Sequence, residues 1–419
     1  MNQFLSSREA ARSLGVSLPT LYAYVSRGLL QSEPAAEGSR ARRYRRTEVE
    51  ALVQERRAKA DPQAGARGAL NWGKPVLDSA VTSINEGSCF YRGRALEDLA
   101  DHSFEDVAEW LWRGLEPGSC ETHSPGAWRL SPACRDSLTA VRASAPVWRE
   151  AVDLLQVVLP IAALEDLEAI DLSADGVAQC GARILGLMTA TIAHSSLEGR
   201  ALPSATSIAQ LLQRCWSPSR PELAQLLNLA LIVSADHELN VSTFTARCVA
   251  SASSTPYEVV GAGLAALRGR KHGGHSERVE ALFQELSAPH RSRNELRASL
   301  ARRIKRGAEV PGFGHVLYPQ GDPRCDLLLG ALREAHPDDP ICTAILALID
   351  EGTALTGDRP TLDVGLAALS TTYGLPTGSA LALFALGRSA GWLAHAIEQY
   401  ETDQLIRPRA RYVGEPPSR

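Results

Sequence analysis

The stretch Gly378–Tyr400 most constrains what this 419-residue chain can fold into. It holds one arginine, Arg388, and one glutamate, Glu398, in a run dominated by Ala, Leu, Gly and Ser. A helix that is apolar on nearly every side must be buried. Helical runs of the same kind recur at Gly176–Leu197, Pro221–Ala235 and Ala246–Leu267. The small residues of 246–267 and 378–400 let helices pack closely, which suits a large, multilayered helical core. Alternation of β-branched residues is scarce, so few strands are predicted. Aromatic residues are only 5% of the chain, which also favours helix over sheet. The expected fold class is mainly α. Unbroken apolar stretches such as Leu226–Ser234 fall far short of the ~20 residues a membrane helix needs. With 44% hydrophobic and 22% charged residues, the composition is that of a soluble globular protein, not a disordered or collagenous chain. The first residues, MNQFLSSREAARS, carry charges where a signal peptide needs an apolar run, so the expected location is the cytoplasm. The 8 cysteines form no C-x-x-C pair, so neither a disulfide framework nor a zinc site is expected.

Charge divides the chain. Residues 1–60 carry 11 Lys/Arg against 6 Asp/Glu, whereas the rest carries 33 against 42. A basic head on an acidic body suggests different partners for each. The Ala/Gly/Pro-rich stretch Ala60–Gly73 reads as the linker, placed at 61–73. In the head, Ser6 and Glu9 form a capping box that starts a helix at Ser7, and Gly15 ends it. Ser17 caps a second helix carrying Leu21, Tyr22 and Val25, which stops at Gly28. Two short helices around a Gly-containing turn are the helix-turn-helix pattern. Five arginines follow between Arg40 and Arg46, around Tyr44, and then a third helix begins at Thr47 with Glu50 completing its capping box. Arg42, Arg43, Arg45 and Arg46 would contact DNA phosphates if they lie on a wing. Most charge runs are solvated loops, and a protein-contact module is the principal alternative. This part resembles the winged helix-turn-helix of excisionases and mercury-resistance regulators.

Four segments of the body carry candidate chemistry. They are Asp236–Arg247 (DHELNVSTFTAR), Arg270–Glu277 (RKHGGHSE), Val310–Arg324 (VPGFGHVLYPQGDPR) and Thr361–Asp363, followed by Arg388 and Arg407. Singly, each has a plain reading: a hydrogen-bonded histidine, a structural ion pair or a helix cap. His237, His272 and His315 sit beside Gly or polar turn residues, where a backbone can approach a ligand. Their spacing matches no metal motif.

Together, N-x-S-T-F-T-A-R, K-H-G-G, P-G-F-G-H, D-P-R and R-P-R appear in the order of the citrate synthase family, which residues 74–414 resemble. The resemblance implies a large helical domain, 74–264 with 366–419, and a small one, 265–365. It implies condensation of acetyl-CoA with oxaloacetate and water to citrate and CoA, with no permanently bound cofactor. In the residues it matches, Asp363 is the base, His272 binds the thioester oxygen and His315 polarises the ketone. His237, Arg324, Arg388 and Arg407 hold the dicarboxylate, and Arg407 is supplied across a homodimer. Arginine gives planar, two-point recognition of carboxylates. Ser242 is expected to orient His272. Main-chain groups of Val310, Gly312, Phe313 and Gly314 are expected to hold CoA, and Arg302, Lys305 and Arg306 are weaker candidates for its phosphates. The chain departs from the family pattern at His275-Ser276, where Ala-Asn is common, and at Thr361-Leu362, where Asn-Val is common. After His237 it has Glu-Leu-Asn where some members have Glu-Gly-Gly-Asn. Two alternatives stay open: a 2-methylcitrate synthase using propionyl-CoA, and a transcriptional regulator with a metabolite-sensing body.

Overall fold

The computed structural model describes residues 4–34, 41–46, 48–49, 52–53, 76–116, 130–144, 150–197, 201–286 and 292–415. The chain forms two compact units, Met1–Asp78 and Ser79–Arg419. The predicted linker at 61–73 lies outside the described residues, as do Arg40, Thr47 and Glu50.

The first unit follows its local signals. Strand β1 (Phe4–Ser6) leads into helix α1 (Ser7–Leu14), whose N-terminus carries the full Ser6/Glu9 capping box and whose C-terminus turns through Gly15 at φ 63°. Helix α2 (Leu18–Ser26) is capped by Ser17, with Pro19 in its first turn, where a missing N–H costs nothing. Strand β3 (Arg42–Arg45) lies between β1 and β2 (Glu33–Pro34), antiparallel to both. This places Arg42, Arg43 and Arg45 on a wing strand, with Arg46 just past its end. Leu5, Ala10, Ala11, Leu14, Leu21, Leu30, Tyr44 and Val49 form a small core. Tyr22 was predicted among the apolar residues of α2, but it is 51% exposed and faces outward.

In the second unit a small antiparallel sheet (Thr82–Asn85, Ser88–Tyr91, Arg94–Ala95) precedes a helical body. The helix Ser379–Thr402 is its axis, buried over almost its whole length. It packs on Leu223–Ser234, Val241–Ala250, Pro256–Leu267 and Ala174–Ser196. Glycine makes one of these contacts possible. A Cβ on Gly387 would stand 2.6 Å from the Leu231 carbonyl oxygen, and one on Gly391 would stand 2.4 Å from that of Ala235. The predicted run 246–267 is two helices: the first ends at Ala250, the chain turns through Ser253 at φ 58°, and the second starts at Pro256, where a missing N–H costs nothing. Thr255 and Glu258 cap this second helix. Among the described residues two helices, Ala174–Ser196 and Ser379–Thr402, are long and apolar enough to span a bilayer, unlike the short runs noted in the sequence. Their most apolar windows are 83% and 100% buried inside the protein.

Candidate active site

Close helix packing sets the first anchor. Because Gly387 and Gly391 bring two backbones together, Arg388 lies at 1% exposure and its Nε–H donates to the Ser234 carbonyl at 2.8 Å. Its guanidinium stacks on Phe384, 4.6 Å from the ring centre, and its Nη2 has no hydrogen-bond partner. A buried guanidinium with an open donor is costly unless something anionic meets it.

The segment after Leu223–Ser234 turns sharply, with Glu238 at φ 55°. The turn places Asp236 and His237 at the helix end. His237 Nε2 lies 3.1 Å from the Tyr318 hydroxyl, and its ring meets that of His315 edge-on at 5.1 Å. Asn240 then caps Val241–Ala250, its Oδ1 accepting the N–H groups of Ser242 and Thr243 at 3.0 and 3.1 Å. The Ser242 hydroxyl lies 2.9 Å from His272 Nε2 and accepts the Trp392 indole N–H at 3.2 Å. Ser242 therefore meets His272 as expected.

A short bridge fixes the remaining residues. Phe313 pairs with Pro360, with Gly314 N–H donating to the Arg359 carbonyl and Thr361 N–H to that of Gly312. This pins His315 close to the start of the helix Leu362–Tyr373, which carries Asp363. Gly312 sits at φ 87°, and a Cβ there would stand 2.5 Å from Val364. Arg324 is buried and two-point paired with Asp322, at 2.9 and 2.8 Å. Asp322 also accepts the Leu362 N–H at 3.0 Å, so one carboxylate ties together two site-bearing helices.

Burial pushes the His272 and His315 rings down to about 4, with Arg388 adding to the effect at His272 and Arg324 at His315. His237 is lowered well below its ordinary range, first by burial and then by Arg324 and Arg388. All three rings are thus neutral near pH 7. The Leu317 N–H donates to His315 Nδ1 at 3.2 Å, so this ring carries its proton on Nε2.

The fold thus gathers His237, His272, His315, Arg324 and Arg388 close enough to influence one another electrostatically. Asp363 joins the His272 segment through Ser276, whose hydroxyl donates to Oδ1 at 2.5 Å. Arg407 lies on an exposed segment without regular secondary structure after the last helix, and no described contact joins it to the cluster. Arg302, Lys305 and Arg306 are exposed on or just after the helix Arg293–Lys305. The main chain of 310–314 is only partly open to a ligand. The Gly314 N–H and the Gly312 carbonyl are spent on the bridge, and Phe313 packs against Gly352. Sequence reasoning assigned no role to Tyr318, Asp322, Asn240 or Trp392, although all lie inside or beside the quoted motifs.

Three neutral imidazoles, buried guanidinium groups and a helix-borne carboxylate are groups that can move protons and hold a small anion. Residues 69–409 match the family described as "Citrate synthase, C-terminal domain", and residues 4–57 match "Helix-turn-helix domain". The chain is 32% identical over 360 residues to 2-methylcitrate synthase of Mycobacterium tuberculosis, covering 82% of this chain and 89% of that one. It is 31% identical over 371 residues to citrate synthase of Haloferax volcanii, covering 81% and 94%. The citrate synthase structure from Thermotoga maritima superposes with a TM-score of 0.69 at 27% identity, covering 83% of this chain and 96% of that one. The Thermoplasma acidophilum citrate synthase, in a ternary complex with carboxymethyl coenzyme A and oxaloacetate, gives 0.71 at 25%, covering 82% and 95%. The chain belongs to the citrate synthase family, and an N-terminal helix-turn-helix domain precedes its enzyme body. That body is of an acyltransferase type.

Proposed function

We propose that the body condenses acetyl-CoA with oxaloacetate and water to give citrate and CoA. The observation that carries this reading is the open Nη2 of buried Arg388 close to the neutral rings of His237 and His272, a setting that favours a carboxylate. Asp363 removes a methyl proton from the acyl group, and the C–H electron pair passes into an enolate. His272 stabilises the enolate oxygen. The Ser242 hydroxyl donates to Asn240 Oδ1 at 2.7 Å and lies 2.9 Å from His272 Nε2, so for His272 to donate from Nδ1 that hydroxyl must turn its proton to Nε2. The enolate carbon then bonds to the ketone carbon. His315 Nε2–H polarises that carbonyl and delivers a proton to the alkoxide. Water finally cleaves the thioester, breaking C–S and releasing the CoA thiol.

His237, Arg324 and Arg388 bind the dicarboxylate. Arg407 completes the site from a second copy in a homodimer, which suits its exposure in the single chain. The main chain of Val310–Gly314 contributes to CoA binding through the groups not used in the bridge. The body works as a large domain, 74–264 with 366–419, and a small domain, 265–365. The head binds duplex DNA through its wing and α2.

Propionyl-CoA is the second reading, favoured by the similarity to 2-methylcitrate synthases. One methylene changes selectivity by only about 1–3 kcal/mol. Thiol release is measured with oxaloacetate and either acyl-CoA. Faster turnover with acetyl-CoA is expected. A preference for propionyl-CoA reverses the assignment, and release with neither rejects condensation and leaves the sensor reading.

A further inference from the structure

Two hydroxyls converge on one carboxylate. Ser276 is fully buried at the start of the helix Gly274–Leu286, and its Oγ–H donates to Asp363 Oδ1 at 2.5 Å. Ser276 lies in the first turn of its helix, where no preceding helical turn offers its hydroxyl a carbonyl. Thr361 occupies the N-cap of Leu362–Tyr373, where threonine usually accepts a backbone N–H, yet its side chain makes no capping hydrogen bond. Its Oγ1–H points instead to Asp363 Oδ2, at 3.4 Å. The cap is supplied by Asp322, which accepts the Leu362 N–H. Both residues stand where the sequence departs from its family's usual residues, and they come from segments 85 positions apart.

We propose that Ser276 and Thr361 are positioning residues for the Asp363 carboxylate, one hydroxyl on each oxygen. This rests on the reading of Asp363 as the base that deprotonates the acyl-CoA. The terminal torsion of an aspartate is broad and two-fold, so packing alone holds it loosely. A donor on each oxygen fixes the plane of the carboxylate. Each oxygen accepts about two hydrogen bonds, so each keeps a lone pair for the incoming proton. Ser276 follows His272 by four residues on the same Gly-rich segment. The group that takes the proton is thereby tied to the segment that bears the oxyanion donor, as concerted enolate formation requires.

The full-length protein is compared as wild type, Ser276→Ala, Ser276→Thr and Thr361→Val. The measurements are kcat, KM for oxaloacetate, and the primary isotope effect with methyl-deuterated acetyl-CoA. Ser276→Ala should lower kcat about tenfold, in line with a lost hydrogen bond to a charged group. KM for oxaloacetate should stay within about twofold, the isotope effect should rise as C–H cleavage becomes slower, and Ser276→Thr should restore both. Thr361→Val should show the same pattern more weakly, because its contact is longer, and it carries the comparison if Ser276→Ala does not fold. Wild-type kcat and isotope effect in folded Ser276→Ala or Thr361→Val overturn the proposal while leaving condensation intact. A wild-type protein that neither condenses acetyl- or propionyl-CoA nor exchanges their α-protons overturns the reading of Asp363, and this proposal with it.

Discussion

Arg388 shows what a single residue reveals in sequence and what it hides. One arginine in an apolar helix marks a site, but only the fold shows that its Nη2 is open while its Nε is spent on Ser234. Arg324 is the reverse case. Its motif suggests a bare carboxylate clamp, and the structure gives two of its donors to Asp322. The histidines carry a prediction. His272 and His315 are held near 4 in the folded protein, and unfolding returns them to about 6.5. Between those values the unfolded chain binds more protons. The contribution of these rings is therefore present above about pH 6.5 and is lost as pH falls toward 4. The urea midpoint should fall across that window, and the fall should be shallower in His315→Asn. Equal slopes for the two proteins would show that His315 is not held neutral. The spacing of histidines along a chain carries no such information, because the shifts come first from burial, and at His272 also from Arg388, which is distant in sequence.

Helices were legible wherever their signals are local. The Ser6/Glu9 box, the Gly15 stop and the long run ending near Tyr400 all lie as read, because capping and periodicity need only neighbours. The run 246–267 was not read as two helices, although the polar stretch Ser251–Thr255 interrupts its apolar period and Thr255 with Glu258 caps the second helix. Nor can the pairing of Phe313 with Pro360 be read from sequence, because it depends on where two distant loops meet. The axial helix gives the test at this scale. In Gly391→Ala the new methyl would meet the Ala235 carbonyl oxygen and Asp236 Oδ1, both at 2.4 Å. Neither is the end of a long flexible side chain, so the helices must separate. Overpacking of this kind costs about 1–3 kcal/mol. The separation also draws Arg388, less than one turn away, from its place. A lowered urea midpoint together with weakened oxaloacetate binding is expected, and an unchanged midpoint would show that this contact tolerates a methyl group.

At the scale of the molecule, two units with opposite charge share one chain, and the head raises a question that the body does not. Its four candidate arginines are not equivalent. Arg43 and Arg45 both reach Glu33, at 3.1 and 3.3 Å, and Arg43 also lies 4.1 Å over the Phe4 ring. Arg42 is exposed at the start of the same strand. The charge run in the sequence counts four equal phosphate contacts, whereas the strand pairing sets Glu33 directly opposite Arg43. This acid neutralises part of the wing. If the wing meets DNA, phosphates must compete with Glu33 for two guanidinium groups. Glu33→Gln removes the competing charge and keeps the shape of the side chain. Its affinity for duplex DNA should rise, and the slope of log affinity against log salt should steepen by up to about 0.9 for each arginine released. Arg42→Ala should make that slope shallower by about the same amount. Condensation should be unaffected in both variants, because every residue assigned to that chemistry lies beyond residue 236. Binding that ignores both substitutions, or that does not vary with salt, would place the DNA contact away from the wing or make the head a protein-contact module.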